Sequence, residues 1–167
     1  MKGRIKGLSY CHTKGLVAIG SFDCSVTLID VKKKEILHRY DQLHTGKIFS
    51  CSEYNTLDNK ANVNAVEISR DGIHLITGSF DQNIKIIDLR TGEIKHTFYK
   101  LTMVSYFATL LLSTVLADKI NSISLNPRGN LIVSGSNDKT VKVLELKKLR
   151  CLSTFKTLHR GKAFPKK

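Results

Sequence analysis

Three stretches of the chain are near copies of one another: GSFDCSVTLIDV from Gly20 to Val31, GSFDQNIKIIDL from Gly78 to Leu89, and GSNDKTVKVLEL from Gly135 to Leu146. Their leading glycines are 78 − 20 = 58 and 135 − 78 = 57 residues apart. Self-similarity at a fixed period means that one supersecondary unit is stacked several times. Each copy ends an apolar run with Gly-Ser, turns through a polar set containing Asp23, Asp81 or Asp138, and continues into sequence rich in Val, Ile and Leu. Turn residues between β-branched strand formers predict a hairpin. The apolar positions after the turn (Val26, Leu28, Ile29; Ile84, Ile86, Ile87; Val141, Val143, Leu144) fall on both parities. Both faces of these strands are therefore expected to be covered.

Two further strands flank each hairpin. The quartets ending at Leu8, Val66 and Ile123 each stop twelve residues before the repeat glycine. On the far side lie KEILHRY (Lys34 to Tyr40), GEIKHTF (Gly92 to Phe98) and LRCLSTF (Leu149 to Phe155), with Tyr40, Phe98 and Phe155 in one register. The predicted class is all-β, built from three four-stranded antiparallel units at 1–41, 62–99 and 118–156.

The chain carries 27 Lys and Arg against 14 acids, a net charge of +13, which favours anionic partners such as acidic proteins or RNA. Ten of those cations fall between Lys139 and Lys167 against one acid, Glu145. Cys11, Cys24, Cys51 and Cys151 form no Cys-x-x-Cys pair and match no His spacing, so neither a zinc site nor a disulfide framework is expected. That usage fits a reduced, cytoplasmic setting, with the nucleus as the alternative. MKGRIKGLSY has no apolar segment of the kind a secretory signal needs. No nucleophile sits on a strand-to-helix elbow, and GSFD and GSND lack the Lys of a phosphate loop. No catalytic, metal or cofactor site is expected, and His12, His38, His44, His74, His96 and His159 read as ordinary sheet or rim histidines.

ISRDGIHLITGSFDQNIKIIDLRTGEIKHTF (Ile68 to Phe98) and INSISLNPRGNLIVSGSNDKTVKVLELKKLRCLSTF (Ile120 to Phe155) resemble units of the WD-repeat β-propellers. The resemblance covers about three quarters of the chain. It implies four-stranded blades around a central channel and a non-enzymatic scaffold for protein–protein interaction, with an RNA-binding protein of an RNA-processing complex as the alternative. Blades of that family are often locked by a hydrogen-bonded His, Ser or Thr, Asp and Trp. Carried over, the Asp is Asp23, Asp81 and Asp138, and the hydroxyl is Thr77 and Ser134, with Ile19 departing. Ile29, Ile87 and Leu144 replace the Trp, and the places expected for the His hold Met1, Asn59 and Leu116. The lock is then half present, and apolar packing is left to hold the blades. The resemblance also puts Phe22, Phe80 and Asn137 on the partner-binding rim.

The spacing exceeds the family's roughly 40–45 residues. The surplus falls in an inserted loop at 42–61, read as surface, and an apolar insertion at 100–117. For the second, LTMVSYFATLLLSTVLA, three readings stand: a helix or strand pair packed on the blades, a segment foreign to the ancestral repeat, and a membrane span. The last is disfavoured, because it would put consecutive blades in different compartments. Residues 157–167 read as a basic tail or the start of a lost fourth blade. Three blades make an incomplete ring, so the chain is expected to be a fragment, a truncated product or half of a two-chain ring, and to self-associate.

Overall fold

The computed structural model describes residues 3–44, 62–99 and 119–156, and each repeat in it is a four-stranded antiparallel sheet with its strands in chain order. Blade 1 comprises β1 (Ile5–Cys11), β2 (Leu16–Ser21), β3 (Val26–Asp30) and β4 (Glu35–Tyr40). Blade 2 comprises β5 (Val63–Ile68), β6 (His74–Ser79), β7 (Ile84–Asp88) and β8 (Ile94–Phe98). Blade 3 comprises β9 (Ile120–Leu125), β10 (Leu131–Ser136), β11 (Thr140–Glu145) and β12 (Arg150–Lys156). The first strands of each unit run two or three residues beyond the quartets visible in sequence.

The core lies between blades. One cluster joins Ala18, Val26 and Leu28 of blade 1 to Val63, Val66, Ile68, Leu75 and Ile87 of blade 2. The other joins Ile76, Ile84, Ile86 and Phe98 of blade 2 to Ile120, Ile123, Ile132 and Leu144 of blade 3. β1 and β2 pack on β5, and β5 and β6 pack on β9. No ring closes among the described residues. A bulge between the third and fourth strands falls at Leu28/Ile29, Ile86/Ile87 and Val143/Leu144. The extra residue sits on the fourth strand each time, Leu37, Lys95 or Leu152. Apolar residues occur on both parities because neighbours along a strand face opposite sides: in blade 2, Ile86 faces blade 3 while Ile87 faces blade 1. The expectation that these strands are covered on both faces holds for blade 2 alone. In the outer blades Ile29, Val141 and Val143 are only partly buried, because their outward faces have no neighbouring blade among the described residues.

The loop expected at 42–61 begins inside the core: Leu43 and His44 are buried, and the Leu43 N–H donates to the Cys24 carbonyl at 3.1 Å. The rest of that loop at 45–61, the apolar insertion at 100–117 and the segment 157–167 lie outside the described residues. Among the described residues no helix is long and apolar enough to cross a membrane.

The turn between third and fourth strands needs a left-handed residue each time, at Lys34 (φ 58), Gly92 (φ 76) and Leu149 (φ 52). Only blade 2 uses the residue that adopts this conformation freely. Lys34 is exposed and loses no packing on truncation. Lys34→Gly is expected to raise the unfolding free energy by about 0.5–1 kcal/mol in urea titration, the left-handed penalty less the added chain entropy.

Candidate functional site

The turns after the second strands, with the residues that enter the first strands, form one rim. The same turn is built three times. The N–H of Asp23, Asp81 and Asp138 donates to the hydroxyl of Ser21, Ser79 and Ser136, at 3.3, 3.1 and 3.2 Å. Each Asp Oδ1 accepts from the N–H two residues on, at 3.1, 2.9 and 2.8 Å. The N–H of the residue before the Asp donates to the residue that leads into the first strand: Phe22 to Arg4 at 2.9 Å, Phe80 to Asn62 at 3.0 Å, Asn137 to Lys119 at 3.1 Å. The three turns thus share one pattern of hydrogen bonds and carry different side chains on it.

Phe22 and Phe80 meet across the boundary of blades 1 and 2, edge to face, with ring centroids 6.4 Å apart. Both rings are half-buried. The Lys6 ammonium lies 5.1 Å from the centre of Phe22, and that of Lys119 lies 4.3 Å from the centre of Phe80. Asn137 stands apart from the pair: it is exposed and accepts from the Asn121 side chain. The rim therefore offers an aromatic step flanked by Arg4, Lys6 and Lys119, on which a ligand with carboxylates and an apolar group could rest.

Behind this rim the lock of blade 2 is filled. His44 Nδ1 lies 2.9 Å from Asp81 Oδ2, and His44 Nε2 lies 2.8 Å from Thr77 Oγ1, with all three side chains buried. An ionised carboxylate only accepts, so Nδ1 carries the hydrogen and donates, leaving Nε2 for the Thr77 hydroxyl. Burial pushes the Asp81 carboxyl up, but hydrogen bonds and charge from His44, with the Asn83 amide, hold it below its ordinary value. The reading of His44 as an ordinary sheet or rim histidine is corrected, as is the absence of a lock histidine from blade 2. His44 supplies it from 15 residues before Asn59, because the insertion follows the histidine rather than preceding it. A signal was present: LHTG at 43–46 and LHRG at 158–161 stand 115 residues apart, the sum of the two repeat spacings.

The outer blades hold the same Asp differently. In blade 1, Ile19 takes the hydroxyl position and the Arg39 guanidinium lies 3.7 Å from Asp23. In blade 3, Ser134 is buried, Asp138 Oδ1 accepts the Thr140 hydroxyl at 2.6 Å, and Asp138 Oδ2 has no partner among the described residues. Shifting His44 by one repeat falls on Leu101, outside those residues. At the opposite ends of the strands a groove of about 310 Å3 is lined by Tyr10, His12, Thr13, Glu67, Arg70 and Asn126. No group of three or more His, Cys, Asp or Glu that could hold a metal ion occurs among the described residues.

Four-stranded antiparallel blades stacked face to face, with a buried His-Asp-Thr set between two of them, define a β-propeller repeat protein. The family described as "WD domain, G-beta repeat" matches residues 111–144, and "Anaphase-promoting complex subunit 4 WD40 domain" matches residues 9–110, more than half of the chain. The chain belongs to the WD-repeat family, whose repeats mediate contacts between proteins. It is 29% identical over 119 residues to mitochondrial division protein 1 of Saccharomyces cerevisiae, covering 66% of this chain and 16% of that protein. It is 50% identical over 40 residues to the ribosome biogenesis protein BOP1 homolog of Drosophila grimshawi, covering 24% of this chain and 5% of that protein. The chain thus spans only a small part of the curated relatives it matches.

Proposed function

We propose that the chain is a non-enzymatic scaffold, cytoplasmic or nuclear, that holds an acidic segment of another protein on the rim at Phe22 and Phe80. The observation that carries this is the pairing of two half-buried rings across a blade boundary with a lysine ammonium over each. An apolar anchor of the partner packs against the ring edges while its carboxylates meet Arg4, Lys6 and Lys119. Interface energy concentrates on such aromatic anchors. In a binding screen against peptides that combine Asp or Glu with one aromatic or aliphatic residue, a Phe22→Ser, Phe80→Ser double variant is expected to bind the selected peptides at least about 10-fold more weakly, the loss of about 1.4 kcal/mol or more. Unchanged affinity in the folded double variant would refute this assignment.

A second reading, an RNA-binding member of an RNA-processing assembly, is favoured by the exposed Lys139, Lys147 and Lys156 of blade 3 and by the name of the fly ribosome biogenesis relative. RNA retention that falls steeply with salt would support it.

A further inference from the structure

Two sheet faces remain uncovered among the described residues, and the repeat shows what each is built to meet. Inside the chain, Gly20 receives Val63 and Val66 of the next blade, and Gly78 receives Ile120 and Ile123 in the same way. A Cβ on Gly20 would lie 2.9 Å from Val66 Cγ1, and one on Gly78 would lie 2.5 Å from Ile123 Cδ1. The third glycine, Gly135, has nothing within 4 Å of the corresponding position. Around it stand Val133 (38% exposed) and Phe155 (47% exposed), whose counterparts Ile76 and Phe98 in blade 2 are buried at 0% and 8%. The residues that would fill such a space are the counterparts of Val63 and Val66 in blade 1, Ile5 and Leu8. They are 59% and 68% exposed on the other free face, beside Tyr10.

We propose that a second copy of this chain docks head to tail, its Ile5 and Leu8 entering the space over Gly135, and that the reciprocal contact closes a six-bladed ring. The occupant is argued from continuity. The same residue positions already make two interfaces within the chain, so each free face carries one half of a pattern whose other half is the opposite free face of another copy. A six-bladed ring lies within the range over which propellers close. Both copies carry +13, so long-range repulsion opposes docking and salt, by screening it, strengthens the dimer. An acidic ligand on the rim has the opposite salt dependence, which keeps failure of this proposal distinct from failure of the scaffold reading.

Sedimentation velocity of the full 167-residue chain tests it. The expected result is a species of twice the 18.7 kDa monomer, more populated at 0.5 M than at 0.05 M salt. Gly135→Leu and Leu8→Arg are each expected to give a folded monomer, since the first places its side chain in open space and the second changes an exposed residue. Leu8→Cys and Gly135→Cys chains, mixed under oxidation, are expected to cross-link to each other, with neither forming its own 8–8 or 135–135 disulfide. A wild-type monomer, a ladder of species beyond the dimer, a dimer that survives both blocking variants, or 8–8 or 135–135 cross-links would each overturn the proposal. A monomer would mean that the faces are covered by residues 45–61, 100–118 or 157–167, by sequence outside these 167 residues, or by another protein.

Discussion

His44→Ala is expected to destabilise the chain by about 3–5 kcal/mol at neutral pH, the cost of leaving one member of a buried, hydrogen-bonded pair without the other. The size follows from what remains. Asp81 stays in a site where its side chain is 1% exposed, and Thr77 stays fully buried. Alanine returns neither hydrogen bond, and the space it leaves adds a cavity term. Thr77→Val, which removes only the hydroxyl, is expected to cost far less, about 1 kcal/mol. The pH dependence separates the charge from the packing. The native Asp81 carboxyl is held below its unfolded value, so its stabilisation is present above the ordinary Asp pKa of about 3.9. It disappears as pH falls through the lower native value. Urea unfolding at pH 7 and pH 3 is expected to show a wide gap between wild type and His44→Ala at pH 7 and a narrower one at pH 3. An equal gap at both would mean that the histidine acts by volume alone.

Gly78→Val is expected to cost about 3 kcal/mol, at the upper end of what overpacking a core does. The first added carbon would already lie 2.5 Å from Ile123 Cδ1 and 2.8 Å from Ile120 Cγ2, and the two methyl groups of valine extend into the same space. Ile123 could turn its terminal methyl aside, but Ile120 is 1% exposed, and its Cγ2 is fixed to the strand through Cβ. The readout is the midpoint of a thermal melt, which is expected to move down in the variant. The backbone at Gly78 is not left-handed, so strain of the residue itself does not contribute. An unchanged melt would show that blade 3 is free to shift away from blade 2.

Much of this arrangement was readable in the sequence, because the repeat writes its structure three times. The hairpins, the flanking strands and the turn aspartates follow from Gly-Ser, Asp and β-branched residues in fixed register. The aspartates stand where the repeat placed them, each capping its own turn. Phe22 and Phe80 were legible as rim aromatics. Their mutual contact was not, because it depends on how far one blade is rotated against the next, which no local pattern encodes. His44 was missed for a related reason: counting back from β5 crosses an insertion, whereas counting forward from Tyr40 does not. The difference between Gly78 and Gly135 was equally hidden. Both head the same motif, and only the presence of Ile120 and Ile123 above the first makes it a packing constraint.

The two apolar clusters have one more implication. Each is drawn from both blades that flank it, so a blade by itself has no interior, and the element that gains or loses stability is the joint between blades. An open row of three blades has two joints, whereas a closed ring has as many joints as blades. Closure would therefore add a whole joint without adding a residue, and a cut within the row removes one without deleting any.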